Sequence, residues 1–337
     1  MIKMMMFDFR ESEKEFFENN KQEDFEITFN SKPLDDSTIL SEDELNNTVA
    51  ISVFTTSNIT EKVLKKFKNL RIVVTRSTAY SHIDLNYCSK TNIAVINVEE
   101  YGRTAVAEYA VALMLSLVRN LLPAYFDMKN RKINHKKYEG RILSSYTIGI
   151  IGCGAVGSTV AKIARFLGMK VLIYSYMKNP DVDKECDFVE LEELIKNSDI
   201  ISLHVPYNGD NYHMIGSDEF EKMKDGVYII NTSRGELLDI KALYDNLING
   251  KVKGAALDVL ECEFLSTHPG EMRDIIEESN NHCVEVALIT QKLFNLNNVI
   301  ITPHIAYNTT ESVNYLLKST FNSIRDYLKG MNTNRVC

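Results

Sequence analysis

Three polar side chains stand where predicted strands end, and they have the types that reduction of a carbonyl group needs. They are Arg234 in INTSRGELLD, Glu263 in GAALDVLECE and His304 in ITPHIAY. Histidine titrates near neutral pH and can donate a proton, and a neighbouring carboxylate orients it and favours its charged form. Arginine binds a carboxylate through two parallel hydrogen bonds. Together the three residues favour a catalytic site for a 2-oxo acid.

Each of these residues also has a structural alternative when it is taken singly. A histidine after proline at a strand end is often a hydrogen-bonded corner residue, and Arg234 before glycine can hold a turn. Glu261 and Glu263 can form a solvated pair in a loop. Spacing alone leaves these alternatives open, and the combination of all three residues at strand ends favours catalysis.

A second motif, GIIGCGAVG (149–157), follows the apolar strand TIGIIG and opens a predicted helix. In that context the GxGxxG pattern indicates a dinucleotide site, because glycines let the backbone approach a pyrophosphate at the helix N-terminus. The alternative is a tight turn with close packing. The predicted cofactor contacts in this turn are Gly152, Gly154, Ala155, Val156 and Gly157.

The fingerprint also expects an acidic residue about 20 positions later, at the end of the next strand. That position holds Ser175. An aspartate there would bind the ribose hydroxyls of NADH and repel the extra phosphate of NADPH, whereas serine cannot repel it and Lys178 stands nearby. The sequence therefore predicts that NADPH is used at least comparably to NADH. The alternative is that Ser175 tolerates NADH, with the ribose held by water or backbone.

Short β-branched runs alternate with helical segments over residues 2–98 and again from residue 147. This alternation predicts two α/β units, each with a parallel sheet wrapped by helices. Between them, the helix predicted over 103–120 is apolar on nearly every face, so we expect it to be buried in a core or at an interface.

Composition limits the classes of function. A chain of 337 residues is expected to form two domains, and its net charge of −8 argues against a nucleic-acid surface. The six cysteines show no CxxC spacing, so we expect reduced thiols without a disulfide or a metal site. The N-terminus does not resemble a signal peptide, and the longest apolar stretch, 110–118, is too short to cross a bilayer. We expect a cytoplasmic protein without a membrane partner.

The residues resemble the D-2-hydroxyacid dehydrogenase family, and within it most closely D-lactate dehydrogenases. The motifs that carry the resemblance are TAVAEYAVALML, GIIGCGAVG, SLHVPYN, INTSRGELLD, GAALDVLECE and ITPHIAY. The resemblance implies two Rossmann-like or flavodoxin-like domains, with the cofactor domain inserted into a discontinuous substrate domain. The implied boundaries are 1–100 and 304–337 for the substrate domain and 101–303 for the NAD(P)-binding domain.

The resemblance assigns roles to individual residues. Arg234 would bind the substrate carboxylate and carbonyl, His304 would donate the proton, and Glu263 would orient it. The implied cofactor contacts are Asp258 on the nicotinamide side and Val205 and Pro206 beside the adenosine. The implied substrate contacts are the backbone N–H groups of Thr78 and Ala79 and the side chains of Tyr101 and Tyr307.

The chain departs from the family pattern at several places besides Ser175. Ala79 stands where the family usually has glycine, which tightens the pocket or shifts its loop. Gly102-Arg103 replaces the Ser-Pro pair that often follows the tyrosine in lactate-specific members. The segment between Glu263 and His304 is several residues longer than is common, with 268–282 as the expected excess.

The function predicted on this basis is hydride transfer between NAD(P)H and a small 2-oxo acid, with pyruvate reduced to D-lactate by a homodimer joined through the cofactor domain. The alternative substrates are glyoxylate, hydroxypyruvate or a bulkier 2-oxo acid. An alternative from another class is a dinucleotide-sensing binding protein similar to the corepressors of this family. The acidic composition and the complete set of Arg234, Glu263 and His304 argue against that alternative.

Overall fold

The computed structural model describes residues 1–99, 101–177, 182, 184, 186–268, 281–331 and 334–337. The chain forms two compact units, one of residues 1–101 and 308–337 and the other of residues 102–307. The predicted boundary lay at His304, and the second unit extends past it to Tyr307. Ile305 and Ala306 belong to this unit because they donate hydrogen bonds to its Asp258. That the first unit binds the substrate and the second binds the cofactor stays a prediction.

The first unit contains a five-stranded parallel sheet in the order β2-β1-β3-β4-β5. This is the order of flavodoxin-like sheets. Its elements are β1 (Ile2–Met6), α1 (Lys14–Asn19), β2 (Phe25–Phe29), α2 (Glu42–Asn47), β3 (Ala50–Val53), α3 (Glu61–Leu64), β4 (Ile72–Thr75), α4 (Leu85–Lys90) and β5 (Ala94–Ile96). Strands β3, β4 and β5 are buried throughout, as expected for strands covered by helices on both faces.

The C-terminal segment completes this first unit. Here the last helix, which we number α13 (Thr310–Leu328), begins after Thr309, whose hydroxyl accepts from the Ser312 N–H. Its buried residues Leu317, Phe321 and Ile324 recur at helical spacing and join the core beside β1 and β4. Beyond the helix, the Val336 N–H donates to the Val95 carbonyl of the edge strand β5, and the Val95 N–H donates to the Cys337 carbonyl.

The second unit contains a seven-stranded parallel sheet in the order β12-β11-β10-β9-β6-β7-β8. The order reverses between β6 and β9, and such a switch point is where open α/β sheets bind dinucleotides. Its strands are β6 (Thr147–Ile151), β7 (Lys170–Tyr174), β8 (Asp187–Phe188), β9 (Ile200–Leu203), β10 (Val227–Asn231), β11 (Val252–Leu257) and β12 (Val299–Ile301). The predicted fold class, with two parallel sheets, is confirmed.

The helices of the second unit pack on both faces of this sheet. They are α5 (Arg103–Val118), α6 (Leu121–Lys129), α7 (Ala155–Phe166), α8 (Leu191–Asn197), α9 (Ser217–Lys222), α10 (Ile240–Ile248), α11 (Glu263–Thr267) and α12 (Asn281–Leu293). Among the described residues no single helix is long and apolar enough to cross a membrane. The pair α5 and α6 meets the length and composition criteria only together, with a bend of 62° between them.

Helix α5 has the all-round apolar sequence that predicted burial, and the structure buries half of its 16 residues in the core of its own unit. Small side chains such as Ala107 and Ala110 allow it to pack closely on α7 and on the sheet. Its apolar character therefore needs no partner chain. Helix α6 differs, because four of its large apolar side chains are at least half exposed: Leu121, Tyr125, Phe126 and Met128.

Several elements differ from the sequence prediction. The predicted helical stretch to about residue 135 ends as an α-helix at Lys129. The two-residue strand β8 and the helices α2, α11 and α12 were not predicted; the strand and α11 are very short, and α2 is polar throughout. Most of the predicted excess, 268–282, lies outside the described residues.

Candidate active site

At the glycine turn after β6, side chains in place of two of the glycines would clash with neighbouring atoms. Gly152 has φ +98°, and a Cβ there would lie 2.7 Å from the carbonyl oxygen of His204 and from Val205 Cγ1. A Cβ on Gly157 would overlap the carbonyl oxygen of Gly152, so α7 packs directly onto the turn. Gly154 precedes α7, and a Cβ there would meet nothing within 4 Å. The N-terminus of a 12-residue helix thus faces open space beside the turn.

This arrangement fits a dinucleotide. The turn leads from β6, at the switch point, into the N-terminus of α7, where backbone N–H groups and the helix dipole favour a pyrophosphate. Ala155 and Val156 form the first turn of that helix. At the end of β10 the buried hydroxyl oxygen of Thr232 has no hydrogen-bond partner within the described residues. A polar ligand at this edge of the sheet would satisfy it.

The other predicted cofactor contacts lie at the ends of neighbouring strands. Val205 is half-buried and Pro206 is exposed, and the Val205 carbonyl accepts a hydrogen bond of 2.6 Å from the Ser233 hydroxyl. Ser175 is half-buried directly after β7, and no described residue hydrogen-bonds its hydroxyl. Lys178, the predicted neighbour of the ribose, lies outside the described residues.

His304 and Glu263 form a direct pair. The imidazole Nδ1–H donates to both carboxylate oxygens of Glu263, at 3.1 Å each. Burial lowers the pKa of His304, but this hydrogen bond and the charges of Glu263 and Asp258 outweigh burial, so its pKa is raised above the usual value. About two fifths of the imidazole is exposed. Its Nε2 has no partner among the described residues and is free to donate a proton.

Asp258 holds the segment that carries His304. Its carboxylate is 1% exposed and accepts from the Thr302 hydroxyl at 2.6 Å and from the N–H groups of Ile305 and Ala306 at 3.0 and 2.8 Å. Burial raises the pKa of Asp258, while these donors and His304 act in the opposite direction. Between the donors, His304 has φ +53°, a conformation that non-glycine residues seldom adopt. The contact of Asp258 with the nicotinamide stays a prediction.

Arg234 follows β10, and its guanidinium forms no ion pair with a described residue. Its Nη1 donates to the Ser233 carbonyl, and its own carbonyl accepts from the Asn231 side chain. Within the described part of the chain, no carboxylate lies within ion-pair distance of its guanidinium. The positive charge acts on His304, where it lowers the imidazole pKa and so opposes Glu263. A cation next to a proton donor is suited to receive an anionic substrate.

Gly235 explains how the Arg234 segment approaches the loop that carries Glu263. A Cβ on this buried residue would overlap the backbone of Leu260 and Glu261. Only glycine permits the two chain segments to lie so close. The glycine after Arg234 is therefore needed for packing between two parts of the site.

The alternative that Glu261 and Glu263 form a solvated pair in a loop does not hold for Glu261. Its side chain is 3% exposed, because three aromatic or imidazole groups surround the carboxylate. Tyr212 Oη and His282 Nε2 lie 2.7 and 2.8 Å from one oxygen, and His213 Nε2 lies 3.0 Å from the other. Burial raises the pKa of Glu261, but these partners lower it more. Nothing in the local sequence indicates that such distant partners meet here.

The expectation of six reduced thiols is also wrong. Cys262 and Cys283 form a disulfide between residues 21 positions apart, with their Cα atoms 5.5 Å from each other. Sequence spacing could not reveal it, because the two residues are far apart in the sequence and meet only in the folded chain. The other four cysteines form no disulfide. Among the described residues, no group of three or more His, Cys, Asp or Glu side chains is arranged to hold a metal ion.

The predicted substrate loop lies in the first unit. The Ser77 hydroxyl donates to the Ala79 carbonyl at 2.6 Å, and the Asn97 amide donates to the Thr78 carbonyl at 3.1 Å. No described residue accepts from the backbone N–H of Thr78 or Ala79, so both donors are available to a ligand. Ala79 has no positive φ, so replacing the usual glycine causes no backbone strain.

The predicted site residues are divided between the two units. Arg234, Asp258, Glu263 and His304 all lie in the second unit and interact as described above. Tyr307 is buried in the same unit, where its Cβ would touch a Cβ added to Gly102 at 3.2 Å. Thr78, Ala79 and Tyr101 belong to the first unit.

Comparison with known proteins agrees with this geometry. Residues 111–306 match the family model of the D-isomer specific 2-hydroxyacid dehydrogenase NAD binding domain. An aromatic 2-oxoacid reductase of Clostridium sporogenes is 35% identical over 295 residues, which cover 85% of this chain and 86% of that protein. A hydroxypyruvate reductase of Thermotoga maritima is 35% identical over 277 residues, covering 81% and 84%.

A solved structure is similar over nearly the whole length. It is a D-lactate dehydrogenase from Aquifex aeolicus complexed with NAD and lactic acid, 34% identical, with a TM-score of 0.82 over 99% of this chain and 98% of that one. The family model covers more than half of the chain and includes the glycine turn and all four interacting site residues. The resemblance stated from the motifs is confirmed: this chain belongs to the D-isomer specific 2-hydroxyacid dehydrogenases.

Proposed function

We propose that this enzyme uses NADH or NADPH to reduce a small 2-oxo acid, with pyruvate reduced to D-lactate in the cytoplasm. The observation that carries the proposal is the pairing of the His304 imidazole with Glu263, which leaves Nε2 without a partner among the described residues. Arg234, which forms no ion pair with a described residue, is close enough for its charge to lower the His304 pKa. A proton donor and a receptor for an α-carboxylate are the two groups that this reaction requires.

The nicotinamide ring, when bound, supplies the hydride to the keto carbon of the substrate. The protein provides the proton: the charged imidazole of His304 donates from Nε2 to the carbonyl oxygen as negative charge develops there. Glu263 holds the opposite ring nitrogen, which fixes the ring orientation and stabilises its charged form. Arg234 binds the substrate carboxylate with its planar guanidinium and polarises the adjacent carbonyl.

The two tyrosines and the names of the relatives point to substrates of different size. Tyr101 and Tyr307 favour a small acid, whereas the names of two relatives refer to aromatic 2-oxo acids and hydroxypyruvate. The free N–H groups at Thr78 and Ala79 serve a carboxylate of either size. Pyruvate is the favoured substrate, and phenylpyruvate, hydroxypyruvate and glyoxylate are the alternatives that a direct comparison separates.

The proposal is tested by measuring kcat/KM for these four acids with each reduced cofactor and identifying the enantiomer formed. We expect the highest value for pyruvate, and D-lactate as the product. Arg234→Lys keeps the charge but loses the two-pronged geometry, so kcat/KM should fall on the order of a hundredfold while cofactor affinity is kept. Arg71→Lys, at an exposed position of the first unit, is the matched control.

Two results would contradict the proposal. Binding of dinucleotide without turnover of any of the four acids would favour the binding-protein alternative. Wild-type efficiency in Arg234→Lys would show that this arginine has only the structural role of holding its turn.

The His304–Glu263 pair predicts a specific pH dependence. Reduction requires the charged imidazole, so its rate falls as pH rises through the His304 pKa, which Glu263 raises. Glu263→Gln should move this limb to lower pH, and His304→Ala should lower kcat about a hundred- to ten-thousandfold. The measurement is kcat against pH, with the exposed Glu285→Gln as control. An unchanged profile in Glu263→Gln would disprove the assigned pairing.

Use of both cofactors is supported by Ser175, which follows β7 and is bound by no described residue. It carries no charge to repel a ribose phosphate. We expect wild-type kcat/KM for NADPH to be at least comparable to that for NADH. Ser175→Asp should shift the ratio toward NADH by about ten- to a hundredfold, because an added carboxylate repels the phosphate and binds the ribose hydroxyls.

Ser175→Asn is the matched control, because it has the size of aspartate without its charge, and it should leave the ratio nearly unchanged. A wild-type preference for NADH of a hundredfold or more would be inconsistent with this interpretation of Ser175.

Homodimer formation through the second unit is the remaining part of the proposal. Helix α5 is accounted for by its own core, so the supporting observation is the exposed apolar surface of α6. Apolar patches of this kind commonly mark interfaces, and a two-fold pair covers both copies at once. Light scattering should give twice the mass of the chain, and Phe126→Asp should give the single-chain mass. The control is Phe166→Asp, at an exposed position of α7, which should keep the mass of the dimer. A wild-type monomer at micromolar concentration would exclude the dimer.

A further inference from the structure

The disulfide lies directly beside a residue of the candidate active site. Cys262 stands between Glu261, which is buried, and Glu263, which binds His304. Its partner Cys283 belongs to α12, and both cysteines are half-buried rather than enclosed in a core. A covalent bond therefore joins α12 to the loop immediately before the carboxylate that orients the proton donor.

Adjacent residues make a second link at the same place. His282, the neighbour of Cys283, bonds the carboxylate of Glu261, the neighbour of Cys262, at 2.8 Å. Among the described residues, α11 and α12 also meet in a hydrogen bond of 2.8 Å from the Gln291 side-chain amide to the Ser266 carbonyl, and in a small apolar cluster of Leu265 and Ala287 with Cys283 packed against them. These contacts are non-covalent and individually weak, so the disulfide adds the covalent link between the loop and the helix.

The backbone at Cys262 shows what the disulfide holds. This residue has φ +48°, in the left-handed region that a non-glycine residue rarely adopts without external constraint. Glu263 follows it as the first residue of α11. If Cys262 relaxed to an ordinary conformation, the chain would change direction at this point and the Glu263 carboxylate would leave its 3.1 Å contact with His304.

We propose that Cys262 and Cys283 are a redox-active pair whose oxidation fixes Glu263 against His304 and so sets the rate of 2-oxo acid reduction. The inference rests on the proposed function for its effect on rate, but not for the existence of the pair. The disulfide form is the faster form, because it holds the geometry that the structure shows. The dithiol form is slower, because the loop before Glu263 is released.

The chemistry is exchange with a small disulfide. One protein thiolate attacks a sulfur of a small cyclic disulfide and opens its ring, and the second protein thiolate then attacks the protein sulfur of the mixed disulfide. The Cys262–Cys283 bond forms with release of the small dithiol. Two electrons pass from the protein to the small disulfide, and the two protons of the protein thiols end on the released dithiol. A small dithiol reverses the reaction.

The remaining cysteines are less suited to this exchange. Cys88 and Cys153 are buried, and burial raises the pKa of Cys88 to about 12 and that of Cys153 to about 11. Such thiols are rarely ionised at neutral pH and react slowly. Cys186 is buried too, and Cys337, half-exposed, lies in the first unit.

The experiment equilibrates the full-length protein with defined ratios of reduced and oxidised dithiothreitol and then alkylates free thiols for mass analysis. We expect six alkylated cysteines in the reduced protein and four in the oxidised protein, with the 262–283 pair missing. In the same samples, kcat/KM for pyruvate should be about fivefold or more higher in the oxidised form. Cys283→Ser should show the lower value in both buffers, and Cys337→Ser should keep the full difference.

A readout independent of turnover is the NMR titration of the His304 ring, assigned by its loss in His304→Gln. The ring should titrate at higher pH in the oxidised form than in the reduced form, and Cys283→Ser should remove this difference. Six free thiols in every buffer would overturn the pair. A disulfide that forms but changes neither the titration nor the rate would overturn its effect on Glu263. If no 2-oxo acid is reduced in either form, the proposed function fails. The titration then still tests whether the Cys262–Cys283 disulfide holds Glu263 against His304.

Discussion

The buried carboxylate of Asp258 fixes the chain between Thr302 and Ala306, and the geometry of the His304–Glu263 pair depends on it. Three donors of that short segment converge on its two oxygens. A buried carboxylate without partners is costly, so the segment cannot leave without a penalty. This constraint offsets the positive φ of His304, a type of strain that costs about 1–3 kcal/mol. The imidazole is thereby placed where Glu263 reaches it.

The charges around His304 oppose one another in a useful way. Glu263 and Asp258 raise its pKa, whereas burial and Arg234 lower it. In the proposed reaction the substrate carboxylate would pair with Arg234 and offset its positive charge. The effect of Arg234 on the imidazole would then weaken, so that binding of the substrate itself favours the protonated, reactive form of the donor. A proton donor controlled in this way is charged when its substrate is present.

Most of the fold was predictable from sequence, because both sheets are built from strands with continuous apolar runs separated by clear helical periods. The glycine turn was predictable for the same reason: it follows such a strand and opens a helix. The candidate site residues were singled out because each follows a predicted strand, and their roles stay predictions. Contacts that depend on distant parts of the chain were not. Glu261 meets Tyr212, His213 and His282 only in the folded unit, and Cys262 meets Cys283 in the same way.

The discontinuity of the first unit has a consequence for synthesis on the ribosome. Its core takes Leu317, Phe321 and Ile324 from α13, and its edge strand β5 pairs with the last residues of the chain. The second unit, residues 102–307, is contiguous and can reach its native contacts while the chain is still growing. The first unit cannot do so until residues 308–337 have also been made, although its strands precede the second unit in the chain. Until then its apolar strands lack the core contacts of α13 and are the part of the nascent chain most exposed to aggregation.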